Sequence, residues 1–387
     1  MQRVKQIGLF DAHCHPTDIM SATARIPSMT AKALTVMSTR AQDQALVLDL
    51  AEQYTIPDKE DIQSERREQT FVVPAFGWHP WFSYQMYDDR KGNVNDREHY
   101  QQVLTPRPDD DFLKALPPPR PLSAFLEETE ARLRQCPKAL VGEIGLDRPF
   151  RVPYGVFRSE DEPPATSVDM TAKTGGDEEG EYTPGSREGR PLSPYRVQLD
   201  HQKVILKAQL ELAAQHNRAV SVHSVATHGA VFDLLQALWK GHEKPSKAQR
   251  KKQKKDAMHA KETHEETEQA KPLPFPPRIC MHSYSGPADA LKQFLGDRVP
   301  ADIYFSFSEV INFGSHNSEK AVDVIKAVPD DKILIESDLH CAGDRMDGLL
   351  EDILRRVCDI KGWKLDVGAL RLKQNWYRFI FGEELGE

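Results

Sequence analysis

The chain's first apolar run, Ile7-Gly8-Leu9-Phe10-Asp11-Ala12-His13-Cys14-His15-Pro16, carries the reading that decides the fold. It has strand length, it ends in two histidines, and it lacks the G-x-G-x-x-G turn that opens a dinucleotide-binding sheet. With Ile7–Asp11 as the first strand, similar runs follow at Ala33–Met37, Phe71–Phe76, Ala139–Gly142, Ala219–Val222, Arg278–Met281, Asp302–Phe305 and Lys332–Ile335. Helical patterns separate them, over Gln42–Gln53, Leu122–Arg134, Val197–Gln215, Gly229–Trp239, Pro287–Phe294, Ser318–Ala327, Met346–Ile360 and Val367–Phe381. Strands alternating with helices predict an α/β protein with a parallel sheet, and eight strands close a (β/α)8 TIM barrel. An open doubly wound sheet is the alternative, and the missing glycine turn counts against it.

Three polar segments interrupt the alternation. Trp78–Pro121 is long and ends in three prolines, while Pro149–Tyr195 and Lys240–Pro277 carry clustered charge. Low hydrophobicity with clustered charge cannot offset ordering entropy, so residues 149–195 and 240–277 are expected to be insertions, mobile at their centres. One barrel domain over 1–387 with long polar loop insertions then accounts for a hydrophobic content of only 39%. No run approaches the ~20 apolar residues of a membrane span, and Met1-Gln2-Arg3-Val4-Lys5 leads into no signal-peptide core. Membrane and secretory classes are set aside. Five cysteines without a C-x-x-C pair point to a reducing compartment, cytoplasmic or nuclear, rather than to a disulfide framework or zinc ribbon. The basic run Arg250–Lys255 reads as a nuclear-import or nucleic-acid patch or, more plainly, as a solvated loop. A net charge of −8 argues against broad nucleic-acid coating but leaves room for one anionic substrate held through metal ions.

The chemistry gathers at strand ends. Residues two apart on a strand share a face, so His13 and His15 point together and Cys14 points away. Later strands end in Glu143, in His223, in His282, and in Glu336-Ser337-Asp338. Each has a bland explanation alone, as a cap or a satisfied rim histidine. Together they place metal ligands on five of eight strands, and the C-terminal rim of a barrel is where strand ends converge. Four histidines and two carboxylates suffice for one or two divalent ions, Mg, Mn or Zn, with Glu143 as the bridge. Such a pair activates water and clamps the oxygens of a phosphate. Asp338 has the position to orient that water and accept its proton, giving Asp338 and Glu143 the catalytic roles. Glu336 either supports a ligand or pairs with a rim cation.

At these residues the sequence resembles the TatD family of metal-dependent deoxyribonucleases. The family's D-x-H-x-H is Asp11, His13 and His15, and its G-x-H-P is Gly77-Trp78-His79-Pro80. Its G-E-I-G-L-D runs from Gly142 to Asp147, and its Q-L-x-L-A helix and H-S strand end are Gln209–Ala213 and His223-Ser224. His282-Ser283-Tyr284-Ser285-Gly286 matches H-x-F-S-G, and Glu336-Ser337-Asp338 matches E-T-D. The resemblance implies a metal-binding barrel that hydrolyses phosphodiesters in DNA, with His13, His15, Glu143, His223, His282 and Asp338 as ligands. By family position His79 is a substrate or phosphate contact, although a His-Pro turn explains it equally well; His340 is a further rim candidate. Three departures bear on substrate: Val225 stands where an arginine is common, Leu339-His340 replaces a proline-containing end, and Arg148-Pro149 follow G-L-D. The pattern is most similar to a fungal TatD-like subgroup named for interaction with a tetratricopeptide-repeat subunit of the anaphase-promoting complex, which implies a protein partner.

Two other readings compete. Amide hydrolysis on the related amidohydrolase barrel is disfavoured because Glu143 stands where many of those enzymes carry a carboxylated lysine. An interaction protein that keeps the barrel and its metals is suggested by the insertions and the altered rim. His216, His228, His259 and His264 are expected at the surface.

Overall fold

The computed structural model describes residues 2–57, 62, 69–92, 94–154, 182–185, 190–246, 249–250, 273–314 and 318–382. Eight parallel strands make the frame: β1 (Leu9–Cys14), β2 (Ala31–Met37), β3 (Phe71–Ala75), β4 (Val141–Asp147), β5 (Val220–Val225), β6 (Arg278–Met281), β7 (Asp302–Phe307) and β8 (Ile333–Ile335). They pair in sequence order, β1 to β3 in one sheet and β4 to β8 in another. Backbone hydrogen bonds join the sheets at both seams. Between β3 and β4, Leu140 N–H donates to Pro74 O (3.0 Å) and Gly142 N–H to Phe76 O (3.2 Å). Beyond β8, Asp338 N–H donates to His13 O (3.0 Å) and His15 N–H to Leu339 O (2.8 Å). The ring is the α/β TIM-type barrel that the alternation predicts.

The main helices are α1 (Gln2–Ile7), α2 (Gln44–Gln53), α3 (Leu122–Gln135), α4 (Leu199–Gln215), α5 (His228–Trp239), α6 (Ser318–Ala327), α7 (Asp344–Lys361) and α8 (Leu365–Phe381). The helix expected over Pro287–Phe294 forms only as a 3-10 turn, Ala288–Ala290, running into a single α turn, Leu291–Phe294. Strand residues of one parity (Leu34, Val36, Val220, Val222, Ile279, Ile303, Phe305) pack outward with helix residues such as Leu350 and Leu354 of α7. Residues of the other parity fill the ring in layers. Ala219, Cys280, Tyr304 and Leu334 form its floor with Trp376 and Phe379 of α8. Two residues further along come Ser221, Ser306, His282 and Glu336, and two beyond Ser221 comes His223, all buried. Each strand thus climbs from an apolar floor to a polar rim.

The polar segments are not uniform. Trp78–Pro121, read as an interruption, holds a 3-10 stretch (Pro80–Gln85) and short helices over Asp96–Val103 and Asp110–Lys114. Tyr84, Tyr100, Leu104 and Phe112 from it form a separate apolar cluster with Phe150, Val152, Tyr195 and Val197. The ends of the 149–195 insertion are therefore packed, and Thr183 is buried as well. Residues 155–181 and 186–189 of that insertion, and 247–248 and 251–272 of the 240–277 insertion, lie outside the described residues, so the expected mobility of their centres falls there. Among the described residues, no helix is long and apolar enough to cross a membrane.

Candidate metal centre

Glu143, at 3% exposure, is the hub. Its Oε2 lies 3.4 Å from Nε2 of both His13 and His15, which are 3.1 Å apart. Asp338 Oδ1 completes this group at 3.4 Å from His15 and 3.8 Å from His13. Glu143 Oε1 faces a second group: His282 Nε2 at 2.7 Å, His223 Nδ1 at 2.9 Å and His79 Nε2 at 3.1 Å. Close backbone approach sets this up. A Cβ on Gly77 would lie 2.7 Å from the Gly142 carbonyl carbon, and one on Gly145 (φ +155) 2.0 Å from His223 O. Both glycines let neighbouring strands bring their ligands together. Asp338 (φ 53) and Ser283 (φ 39) take the left-handed region without being glycine. Asp338 is held there by its N–H on His13 O, and Ser283 by its N–H on Glu336 (2.7 Å); strain of this kind concentrates at functional sites.

The second nitrogen of each imidazole is set by what it touches. His13 Nδ1 meets Ser221 Oγ at 2.8 Å, and His223 Nε2 meets Asp147 Oδ2 at 3.0 Å. A carboxylate on the far nitrogen leaves the near one with its lone pair free, the usual arrangement behind a metal-binding histidine. His79 differs. Trp81 N–H donates to its Nδ1 (3.1 Å), so the neutral ring carries its proton on Nε2 and donates to Glu143. His282 Nδ1 is buried and has no hydrogen-bond partner among the described residues; Glu336 Oε1 lies 3.6 Å away. Glu336 is fully buried and receives Ser283 N–H and the hydroxyls of Ser283 and Ser306. It supports the histidine and pairs with no Arg or Lys among the described residues.

Burial opposes every charge here, so charge persists only where partners outweigh it. The surrounding imidazoles hold Glu143 well below the usual carboxylate range despite burial. Against the same desolvation, Asp338 and Glu143 raise His15 to about 9, and Glu143 with Glu336 raise His282 well above its usual value. Asp338 is lowered to about 2, its burial outweighed by His15 and its neighbours. Burial pushes His13 down and His79 down to about 4.

This donor set fits divalent ions. Ligand atoms ~2.0–2.1 Å from one tetrahedral ion stand about 3.3 Å apart, and the His13, His15, Glu143 and Asp338 atoms lie 3.1–3.8 Å apart in every measured pair. Three groups of His, Asp and Glu atoms are close enough to share an ion: His13, His15 and Asp338; His13, His282 and Glu336; His79, Glu143 and His223. The six expected ligands are thus brought together, and His79 joins them from the loop after β3. His340 stays at the rim, its Nδ1 2.7 Å from Asp18 Oδ2 and its ring stacked on His15 at 5.6 Å.

Sequence reasoning assigned no role to Asp147, Ser221 or Asp18, which act through long-range partners. The motif that ends in Asp147 was the only available signal. His228 is a correction: it is half-buried, with Nδ1 3.0 Å from Ser224 Oγ and its ring 5.0 Å from Tyr284, because its helix starts against the rim. His216 is half-buried too, bonded to Glu130 (3.1 Å), while residues 259 and 264 lie outside the described residues.

Above the cluster opens a cavity of ≈ 370 Å³, lined by Glu143, His223, Asp338 and His340 with Trp81, Val225 and Ile311 among its walls. Comparisons with known proteins agree with this architecture. The chain is 37% identical over 378 residues to "Cut9-interacting protein scn1" of Schizosaccharomyces pombe, covering 96% of this chain and 98% of that one. It is 25% identical over 324 residues to "Uncharacterized deoxyribonuclease YMR262W" of Saccharomyces cerevisiae, covering 80% and 82%. Two solved structures share the fold. The TatD homologue YJJV of Escherichia coli K12 aligns with TM-score 0.50 and 18% identity over 98% of this chain and 99% of that one. An uncharacterized amidohydrolase of Saccharomyces cerevisiae aligns with TM-score 0.51 and 12% identity over 95% and 98%. The family described as TatD related DNase matches residues 10–380, nearly the whole barrel, and the chain belongs to that family.

Proposed function

We propose that the protein is a divalent-metal-dependent phosphodiesterase acting on DNA. The observation that carries this reading is Glu143, one carboxylate whose two oxygens serve two separate groups of ligand atoms. His13, His15, Asp338 and Glu143 would hold one ion, and His223, His282 and Glu143 a second. When bound, such ions supply an activated water and neutralise charge on the phosphate oxygens. The protein's own groups do the rest. Asp338 is the most exposed of the six ligands, at 15% of its side chain, and stands where it can orient the attacking water and accept its proton. His79 keeps its Nε2 proton beside Glu143 and can donate it to a phosphate oxygen. His340, fixed by Asp18, offers its other nitrogen at the mouth of the cavity.

The test is metal content together with hydrolysis of single- and double-stranded DNA in Mg, Mn or Zn. Bound metal and cleavage, both lost in Glu143→Ala, are expected. No metal and no cleavage, with Glu143→Ala indistinguishable from wild type, would refute the reading.

A second reading is favoured by the name of the fission-yeast relative, "Cut9-interacting protein scn1": a protein partner, for which the sequence resemblance implies a tetratricopeptide-repeat subunit of the anaphase-promoting complex. Loops can bind a partner while the rim keeps its chemistry. Capture of that subunit by wild type and by Glu143→Ala alike would support it, and capture by neither would reject it.

A further inference from the structure

We propose that the cavity grips its substrate beside the scissile phosphodiester through an apolar lip of Val225, Val310 and Ile311 that takes an uncharged, planar group, a base in DNA or an aryl group in a small analogue. The proposal rests on the hydrolytic reading above and narrows its substrate class.

Eight large hydrophobic residues are exposed among the described residues, and three of them, Val225 (37%), Val310 (37%) and Ile311 (45%), line this one cavity. Scattered exposed apolar residues need no explanation; three converging beside a ligand-rich polar cluster do. They come from two elements, the end of β5 and the tight helical turn Glu309–Phe313 after β7.

That turn is tied down on both sides. Ser308 Oγ accepts Ile311 N–H (3.2 Å), and the buried Asn312 accepts Ser308 N–H (2.8 Å) while donating to Tyr284 O (3.2 Å). On its outer side Glu309 pairs with Arg356 (2.7 Å), whose guanidinium also lies 4.4 Å over Phe313. Val310 and Ile311 are the residues between these anchors, so they stand at the mouth with their ordering cost already met by the fold.

The wall beside the lip is mostly uncharged, with Lys320 set behind it and donating to Ser285 O. Ser224 and Ser285 bracket His228, at 3.0 and 3.5 Å, and Val225 occupies the position next to Ser224. Two arginines also line the cavity: Arg345, and Arg40, which is committed to Asp18 (2.9 Å) and Asp43 (3.2 Å) and to the carbonyls of Thr183 and Pro184. A cavity of ≈ 370 Å³ suits one group of aryl or nucleoside size next to the ligand cluster.

The experiment compares phenylphosphonate with methylphosphonate, bound by calorimetry to the full chain with and without Mn²⁺, alongside hydrolysis of phenyl and methyl p-nitrophenyl phosphate. Wild type should bind the phenyl compound at least about tenfold more tightly. A Val310→Ser, Ile311→Ser double variant should cut that preference to under about threefold, with methylphosphonate affinity unchanged, because both side chains are exposed and neither holds the fold. Asn312→Ala, which frees the turn without touching the lip, should weaken the preference in the same direction. Equal binding of the two phosphonates by wild type, or an unchanged preference in the double variant, overturns the proposal. A phenyl preference without hydrolysis of either ester or of DNA would support the lip and sink the phosphodiesterase reading, so the two failures are distinguishable.

Discussion

Trp81 N–H donates to Nδ1 of His79 while Asp147 sits on Nε2 of His223, and these contacts give neighbouring imidazoles opposite roles. His223 is prepared to bind a metal, and His79 is prepared to donate. Asp147→Asn should therefore lower metal affinity about 10- to 100-fold, measured by competition with a chelating dye. His79→Ala should keep the metal content of wild type and lose about 10²-fold in hydrolysis, measured by elemental analysis and initial rates. Loss of metal in His79→Ala would put it among the ligands instead. Protons matter at this scale as well. His15 is raised to about 9 and His282 also upward, so both hold protons in the metal-free chain at neutral pH, and an incoming cation must displace them. Apparent metal affinity should therefore rise with pH up to about 9, the value at which His15 releases its proton.

At the scale of elements, hydropathy gives out where the chemistry begins. The fourth strand is expected over Ala139–Gly142 but forms over Val141–Asp147, because Ile144–Asp147 still pair with β5 beyond a register shift at Glu143, whose N–H donates to Ser38 O (2.9 Å). The fifth likewise runs on to Val225, carrying His223. Periodicity thus reveals each strand and understates the end that carries its ligand. Ligand spacing was legible where it was local, as in His13 and His15. The partners Ser221 and Asp147 were not, and Glu336 only as one of two readings, since each meets its histidine from another strand or another turn.

The 3-10 stretch that carries the His79 loop leans on α4, where His201 donates to Ser83 O (2.9 Å). Burial pushes His201 down to about 4, below the ~6.5 of an unfolded chain. The unfolded chain therefore takes up that proton first. Stability falls as pH drops through 6.5 and levels off near 4, by at most about 1.4 kcal/mol per pH unit from this group. His201→Gln keeps a donor but carries no charge, so it should flatten that limb in urea midpoints measured from pH 7 to 4. An unchanged limb would remove His201 as a cause.

Across the whole molecule, the candidate ligands span residues 13 to 338 and come from β1, β4, β5 and the segments that follow β1, β6 and β8. They meet only in the closed ring, so binding of a metal by this cluster would be coupled to barrel closure. Saturation at 100 times Kd should stabilise the fold by about 2.7 kcal/mol, seen as a rise in Tm that a chelator reverses and that Glu143→Ala lacks. Fold class was legible because strand count and alternation are global properties of the pattern. The packed flanks of the 149–195 insertion were not, because Phe150, Val152 and Tyr195 are too sparse to register until Tyr84 and Phe112 supply their partners.

The central claim, that Glu143 is shared between two ions, is tested most directly by anomalous diffraction from a crystal soaked in Mn²⁺. Two peaks are predicted, one among His13, His15 and Asp338 and one beside His223 and His282, both touching Glu143 and both absent in Glu143→Ala. No peak within reach of Glu143, or the same peaks in Glu143→Ala, would contradict the account.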